Sequence, residues 1–153
     1  MTTTFQTNIS EITLAYNPQI KPQDLPKISQ VADVPELFRQ NWNDMAICLY
    51  EEFKVAFLNN ANGCLGVFKA SQGGISSTVV DIRLIFAAAL KAGASAMILC
   101  HNHPSGKLEP SEPDIRLTKK IIEGANLLDL RVLDHIILTR EDYFSFASNG
   151  LMP

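Results

Sequence analysis

Cysteine is scarce in this chain and poorly placed for cross-linking. Cys48, Cys64 and Cys100 are odd in number, widely spaced and form no CxxC pair. That excludes a disulfide framework and a cysteine-bound zinc site, and reads as reduced thiols in hydrophobic segments. Long apolar runs are missing too. The opening MTTTFQTNISEITL has no apolar core of signal-peptide length, and nothing approaches the ~20 apolar residues that cross a bilayer. A cytoplasmic protein with no membrane partner is expected. Positive charge is also short, with 13 basic residues against 16 acidic ones and a net charge of −3. Such a chain has no cationic field for avid nonspecific binding of nucleic acid. Glycine and proline number 8 each and are scattered, which rules out a collagen-like or proline-rich chain.

What remains is globular. Of the 153 residues, 46% are hydrophobic and 19% charged, as expected of one domain with its own core. Residues 1–28 differ from the rest. A weakly alternating stretch over 11–16 could be an edge strand, but Pro18, Pro22 and Pro26 then interrupt any regular element, so this part reads as an arm or linker. Residues 29–153 carry the dense patterning of the domain. Asp33 can cap a helix running to about Trp42, with Pro35 in its first turn. Two strand-like runs, 52–58 and 64–70, flank the turn formers of 59–63 and predict a hairpin. A loop over 71–78 follows. Asp81 caps the apolar helix 82–92, which Gly93 ends. A continuous apolar run over 95–100 predicts a strand covered on both faces. After the loop 101–110, Ser111 begins a helix reaching 124–128. A strand over 130–139 and a short one over 143–147 complete the chain. The fold class is therefore α/β, with helices on the faces of a mixed sheet.

The chemistry concentrates in His101-Asn102-His103-Pro104-Ser105-Gly106 and the Pro110-Ser111-Glu112-Pro113-Asp114 that follows. Two histidines two apart at the end of a strand project to the same side. Asp114, in the first turn of the next helix, can return over the strand end. Two imidazoles and a carboxylate suit Zn²⁺ and leave a fourth position for water. Ser111 and Asp114 read equally well as a capping box at a helix start. Asn102 has no role on this reading beyond separating the two histidines, and Asp134-His135 reads as a satisfied buried pair within a strand. HExxH is absent, and no PCxxC follows a His-x-Glu, so the zincin and zinc-deaminase signatures fail.

An upstream glutamate, His101-x-His103, Ser111 eight residues on and Asp114 three further resemble the JAB/MPN+ (JAMM) metalloprotease motif, E…HxH–x7–SxxD. The fuller text, HNHPSG with LDHIIL and YFSFASNG, resembles the bacterial RadC family from about Asp33 to Met152. The resemblance implies a JAB/MPN-type, deaminase-like mixed sheet. It also implies one Zn²⁺ per chain on His101, His103 and Asp114, with Ser111 at the water or oxyanion and a glutamate as general acid/base. RadC-like sequences carry Glu-x-Phe before the strand, which selects Glu51; more distant members carry Glu-Phe, which selects Glu52. The expected activity is hydrolysis of amide bonds in a peptide or protein, the substrate lying extended along a sheet edge. The alternatives are an accessory protein of DNA repair or mobile elements with a structural or vestigial zinc, and a metal-dependent nuclease. Lys107, Arg116, Lys119 and Lys120 near the site are largely offset by Glu109, Glu112 and Glu123, which disfavours a duplex-binding platform. Nothing in the sequence indicates an oligomeric state.

Overall fold

Strand alternation divides the apolar residues between two layers on either side of one sheet. A computed structural model of the chain describes residues 10–13, 15–74 and 79–153. In it β1 (Glu52–Leu58), β2 (Cys64–Gln72), β3 (Ala96–Asn102), β4 (Arg131–Leu138) and β5 (Tyr143–Ser145) lie in the order β2-β1-β3-β4-β5. The pair β3–β4 is parallel and the other neighbours are antiparallel. One face presents Ala56, Leu58, Ile98, Cys100 and Ile136 to Phe38 of α1 (Asp33–Gln40) and to Trp42. The other presents Phe53, Val55, Met97 and Leu99 to α2 (Ile82–Ala92) and α3 (Glu112–Leu127), which contribute Ile85, Ala89, Ile121 and Ala125. β1 and β3 are buried over their whole length, hence their nearly unbroken apolar text. The result is a mixed α/β sheet with helices on both faces, as the patterning predicts. Among the described residues no helix is long and apolar enough to cross a membrane.

Local signals explain most element ends. The Asp81 side chain accepts from the Arg83 amide and Gly93 takes φ 67°, so α2 begins and ends where its caps require. In the hairpin turn, Asn59 Oδ1 accepts from the amides of Ala61 and Gly63. Asp33 departs from expectation: it is the first residue of α1 rather than its cap, and its carboxylate accepts from the amides of Ser29 and Gln30 in the preceding turn. That helix stops at Gln40, and Trp42 follows in a turn. β2 extends to Gln72, so Ser71 and Gln72 leave the expected loop, of which residues 75–78 lie outside the described ones. The expected strand over 11–16 is not formed by its described residues, and position 14 lies outside them. Chain 26–28 instead runs beside the hairpin turn, where the Cys64 amide donates to the Pro26 carbonyl at 2.7 Å and Lys27 bridges Gly63. Cys48 is exposed rather than buried, unlike Cys64 and Cys100, and all three thiols are free.

The largest difference concerns β3. Its ladder does not end with the apolar run at Cys100 but continues through Asn102, because His101 pairs with Phe53 and Ile137, and Asn102 with Leu138. The HxH segment therefore begins inside the sheet.

Buried Asp134 in β4 fastens the C-terminal turn. Its Oδ1 accepts from the amides of His135 (2.7 Å) and Ala147 (2.9 Å), and its Oδ2 from Ser145 Oγ (2.6 Å). Removing a charged acceptor leaves these donors without partners, so Asp134→Ala should cost about 3 kcal/mol. A urea titration should show a lowered midpoint with an unchanged slope.

Candidate metal centre

Pleating places His101 on the face of Leu99, toward α3, with His103 one repeat further on. The His103 amide donates to the Leu138 carbonyl at 3.0 Å, so the chain stays pinned to β4 just past the end of β3. It then turns sharply. Pro104 holds the second position of a turn closed by the Gly106 amide on the His103 carbonyl, and Gly106 takes φ 80°. The turn brings the Lys107 carbonyl within 2.7 Å of His103 Nδ1. A carbonyl only accepts, so Nδ1 carries the proton, and in the neutral ring Nε2 keeps its lone pair. The Nε2 atoms of His101 and His103 are 2.9 Å apart.

Asp114 arrives from α3. Ser111 is its N-cap and forms a full capping box: Ser111 Oγ accepts from the Asp114 amide (3.3 Å), while Asp114 Oδ2 accepts from the Ser111 amide (2.7 Å). The carboxylate lies 3.4 Å from His101 Nε2 through Oδ1 and 3.6 Å from His103 Nε2 through Oδ2. One ligand atom from each of His101, His103 and Asp114 falls within 4.8 Å of the others. Converging imidazole nitrogens beside a carboxylate are the donor set of a divalent metal, and these residues fit one. Burial pushes the Asp114 carboxyl up, but its contacts with the two imidazoles, when these are protonated, outweigh it and hold the group well below the usual carboxylate range. For His103, burial pulls downward and is overcome by the nearby Asp114 carboxylate and the Lys107 carbonyl, both of which favour the protonated ring, giving a net rise.

The two glutamates diverge as strand geometry demands. Glu51 shares the side of Phe53, whose register partner is His101. The Glu51 backbone is held by the Gly73 amide and the Gly74 carbonyl. Burial raises its carboxyl pKa against the pull of His101 and His103, with Asp114 adding to the rise. Glu52 points to the α1 face, buried, with Oε2 3.2 Å from Lys54 Nζ and Oε1 3.7 Å from Lys69 Nζ. Lys54 in turn lies 4.4 Å from the centre of the Trp42 ring.

Three residues matter more than their sequence reading suggests. Asn102, expected to be a spacer, is fully buried; its Oδ1 accepts from the Glu52 amide (2.7 Å) and its Nδ2 donates to the carbonyls of Ile47 (2.8 Å) and Tyr50 (2.9 Å). It thus holds the chain that carries Glu51 against the end of β3. An amide on a strand face otherwise lined by Ile98 and Cys100 was the available signal, since a buried amide needs partners. The His135 ring is not paired with the Asp134 carboxylate, which takes only the His135 main-chain amide and turns to the other face. Its Nε2 lies 2.8 Å from His101 Nδ1 and its Nδ1 2.6 Å from Thr118 Oγ1. Burial, with the charge of His101, holds the His135 pKa well below its usual value. No spacing rule links Thr118 to the motif.

A five-stranded mixed sheet with helices on both faces, a histidine pair at a strand end and an aspartate on the next helix define a JAB-type domain. The family model described as RadC-like JAB domain matches residues 28–151, and the chain belongs to this family. It is 40% identical over 131 residues to a UPF0758 protein of Flavobacterium johnsoniae, covering 86% of this chain and 57% of the relative. A UPF0758 protein of Porphyromonas gingivalis is 38% identical over 135 residues, covering 88% and 60% respectively. Another, from Salinibacter ruber, is 39% identical over 121 residues, covering 79% and 51%. The chain thus spans between half and three fifths of the length of these relatives.

Replacing Asn102 with Ala leaves three backbone groups unsatisfied, which should cost about 2–4 kcal/mol. Amide exchange across residues 47–52 should accelerate more than across β4, which hydrogen-exchange mass spectrometry would read directly.

Proposed function

We propose that the chain is a zinc-dependent hydrolase of amide bonds, a metallopeptidase or isopeptidase. The observation that carries this reading is the convergence of His101, His103 and Asp114 with Glu51 on the same face. Three protein ligands and an open fourth position are the pattern of catalytic rather than structural zinc. A bound Zn²⁺ lowers the pKa of a coordinated water to about 7 and polarises a carbonyl. Glu51, partly desolvated, is the group that takes a proton from the attacking water and returns it to the leaving amine. Ser111 accepts a hydrogen bond in the capping box and retains its own hydroxyl proton, which it can donate to a developing oxyanion. The net charge of −3 and the edge strands β2 and β5 favour an extended peptide held by backbone hydrogen bonds over a nucleic-acid duplex.

Purification in zinc-supplemented medium followed by elemental analysis should give one Zn²⁺ per chain, lost in His103→Ala. Absence of metal in the parent, or unchanged content in the variant, would remove the metal from the reading.

In a screen of peptide and isopeptide substrates, Glu51→Gln should abolish turnover with Zn²⁺ still bound. Glu52→Gln should keep turnover and lose stability through the weakened Lys54 pair. Ser111→Ala should slow turnover by a smaller factor and lower stability by about 1 kcal/mol through the lost cap. Full activity in both glutamine variants would sink the acid/base mechanism.

A further inference from the structure

His135 and Thr118 take no part in the chemistry above, yet both are completely buried behind His101. Thr118 Oγ1 lies 2.7 Å from the Asp114 carbonyl oxygen and 2.6 Å from His135 Nδ1, and His135 Nε2 lies 2.8 Å from His101 Nδ1. One end of this chain of contacts has a fixed polarity. The Asp114 carbonyl only accepts, so the single Thr118 hydroxyl proton goes there, as is common for threonine one turn along a helix. The hydroxyl oxygen is then an acceptor toward His135 Nδ1, which must bear the proton. His135 Nε2 in turn meets His101 Nδ1 with a lone pair, and His101 supplies the proton between them. His101 Nε2 is left bare where His103 Nε2 and Asp114 Oδ1 converge.

We infer that Thr118 and His135 are positioning residues: a directed hydrogen-bond relay from the Asp114 main-chain carbonyl fixes His101 as its Nδ1–H tautomer and presents Nε2 to the metal. This rests on the metal reading above. Packing keeps the rings in place, because Phe53 stacks on His101 at 6.0 Å and Phe146 on His135 at 4.6 Å between centroids. His103 receives the same instruction more simply, from the Lys107 carbonyl. Partners of this kind behind a ligating histidine are worth about 10–100-fold in metal affinity. Asp114 serves twice, giving its carboxylate to the site and its carbonyl to the relay, so α3 sets both ligands together.

The test uses the full chain labelled with ¹⁵N in its imidazole rings. Two-bond ¹H–¹⁵N correlation spectra of the metal-free parent should show His101 and His135 protonated at Nδ1. Thr118→Val removes the relay's first donor while keeping shape; it should disturb both ring patterns and weaken Zn²⁺ binding about 10–100-fold against a chromophoric chelator. Thr118→Ser should restore both. A parent with the His101 proton on Nε2 would overturn the inference, and this measurement needs no variant to fold. Thr118→Val with an unchanged ring pattern and parental Zn²⁺ affinity, whatever its urea midpoint, would also overturn it. A parent that shows the expected proton order but binds no Zn²⁺ would sink the metal reading and support the order of the relay.

Discussion

The parallel pairing of β3 with β4 is the constraint on which the site depends. Parallel neighbours cannot be joined by a tight turn; they need a crossover, here α3. A crossover helix starts near the end of the first strand, so the capping box of α3 returns Ser111 and Asp114 to where His101 and His103 leave the sheet. The same ladder carries β3 two residues past its apolar run and continues into the His103 amide on Leu138. Two distant pieces of sequence meet because the backbone has to return there. The position agrees with the general placement of sites beyond the carboxyl ends of strands in α/β sheets.

Strand alternation then sorts neighbouring polar residues into different duties. Glu51 faces the histidines, while Glu52 is buried on the α1 side beside Lys54. His101 points to the candidate centre, while Asn102 points away and holds the chain before β1. His135 backs His101, while Asp134 ties down the turn after β5. In each pair one residue belongs to the site and its neighbour to the scaffold. A change at Asn102 or Asp134 would therefore reach the site through the backbone, not through altered charge beside the candidate metal ligands.

The fold was legible because its elements are punctuated. Asp81 and Gly93 delimit α2, the Asn-rich turn delimits the hairpin, and the unbroken apolar text of β3 marks a strand covered on both faces. The reading failed where a residue's partner is distant in sequence. The end of β3 depends on Phe53 and Ile137; the departure at Asp33 is local instead, its carboxylate taking amides three and four residues before it. The spacing of His101, His103, Ser111 and Asp114 was visible because one strand, one turn and one helix start carry it. Asn102 and Thr118 were not. Their meaning comes from carbonyls and rings that only the fold brings near, and neither residue type is unusual in a strand or a helix.

Ser111 and Asp114 show why helix capping and metal ligation need not be competing explanations. The capping box is formed, so the Ser111 amide fixes the Asp114 carboxylate before any cation arrives. The Lys107 carbonyl fixes His103, and the buried Thr118–His135 contacts lie behind His101. Each candidate ligand is thus held by a hydrogen bond whose other end is backbone or a fully buried side chain. The entropy of ordering these side chains is met by folding instead of by metal binding, and the donor atoms need little rearrangement to close on an ion. The helix cap is then part of the preorganisation, and its loss would loosen both the first turn of α3 and the carboxylate it carries.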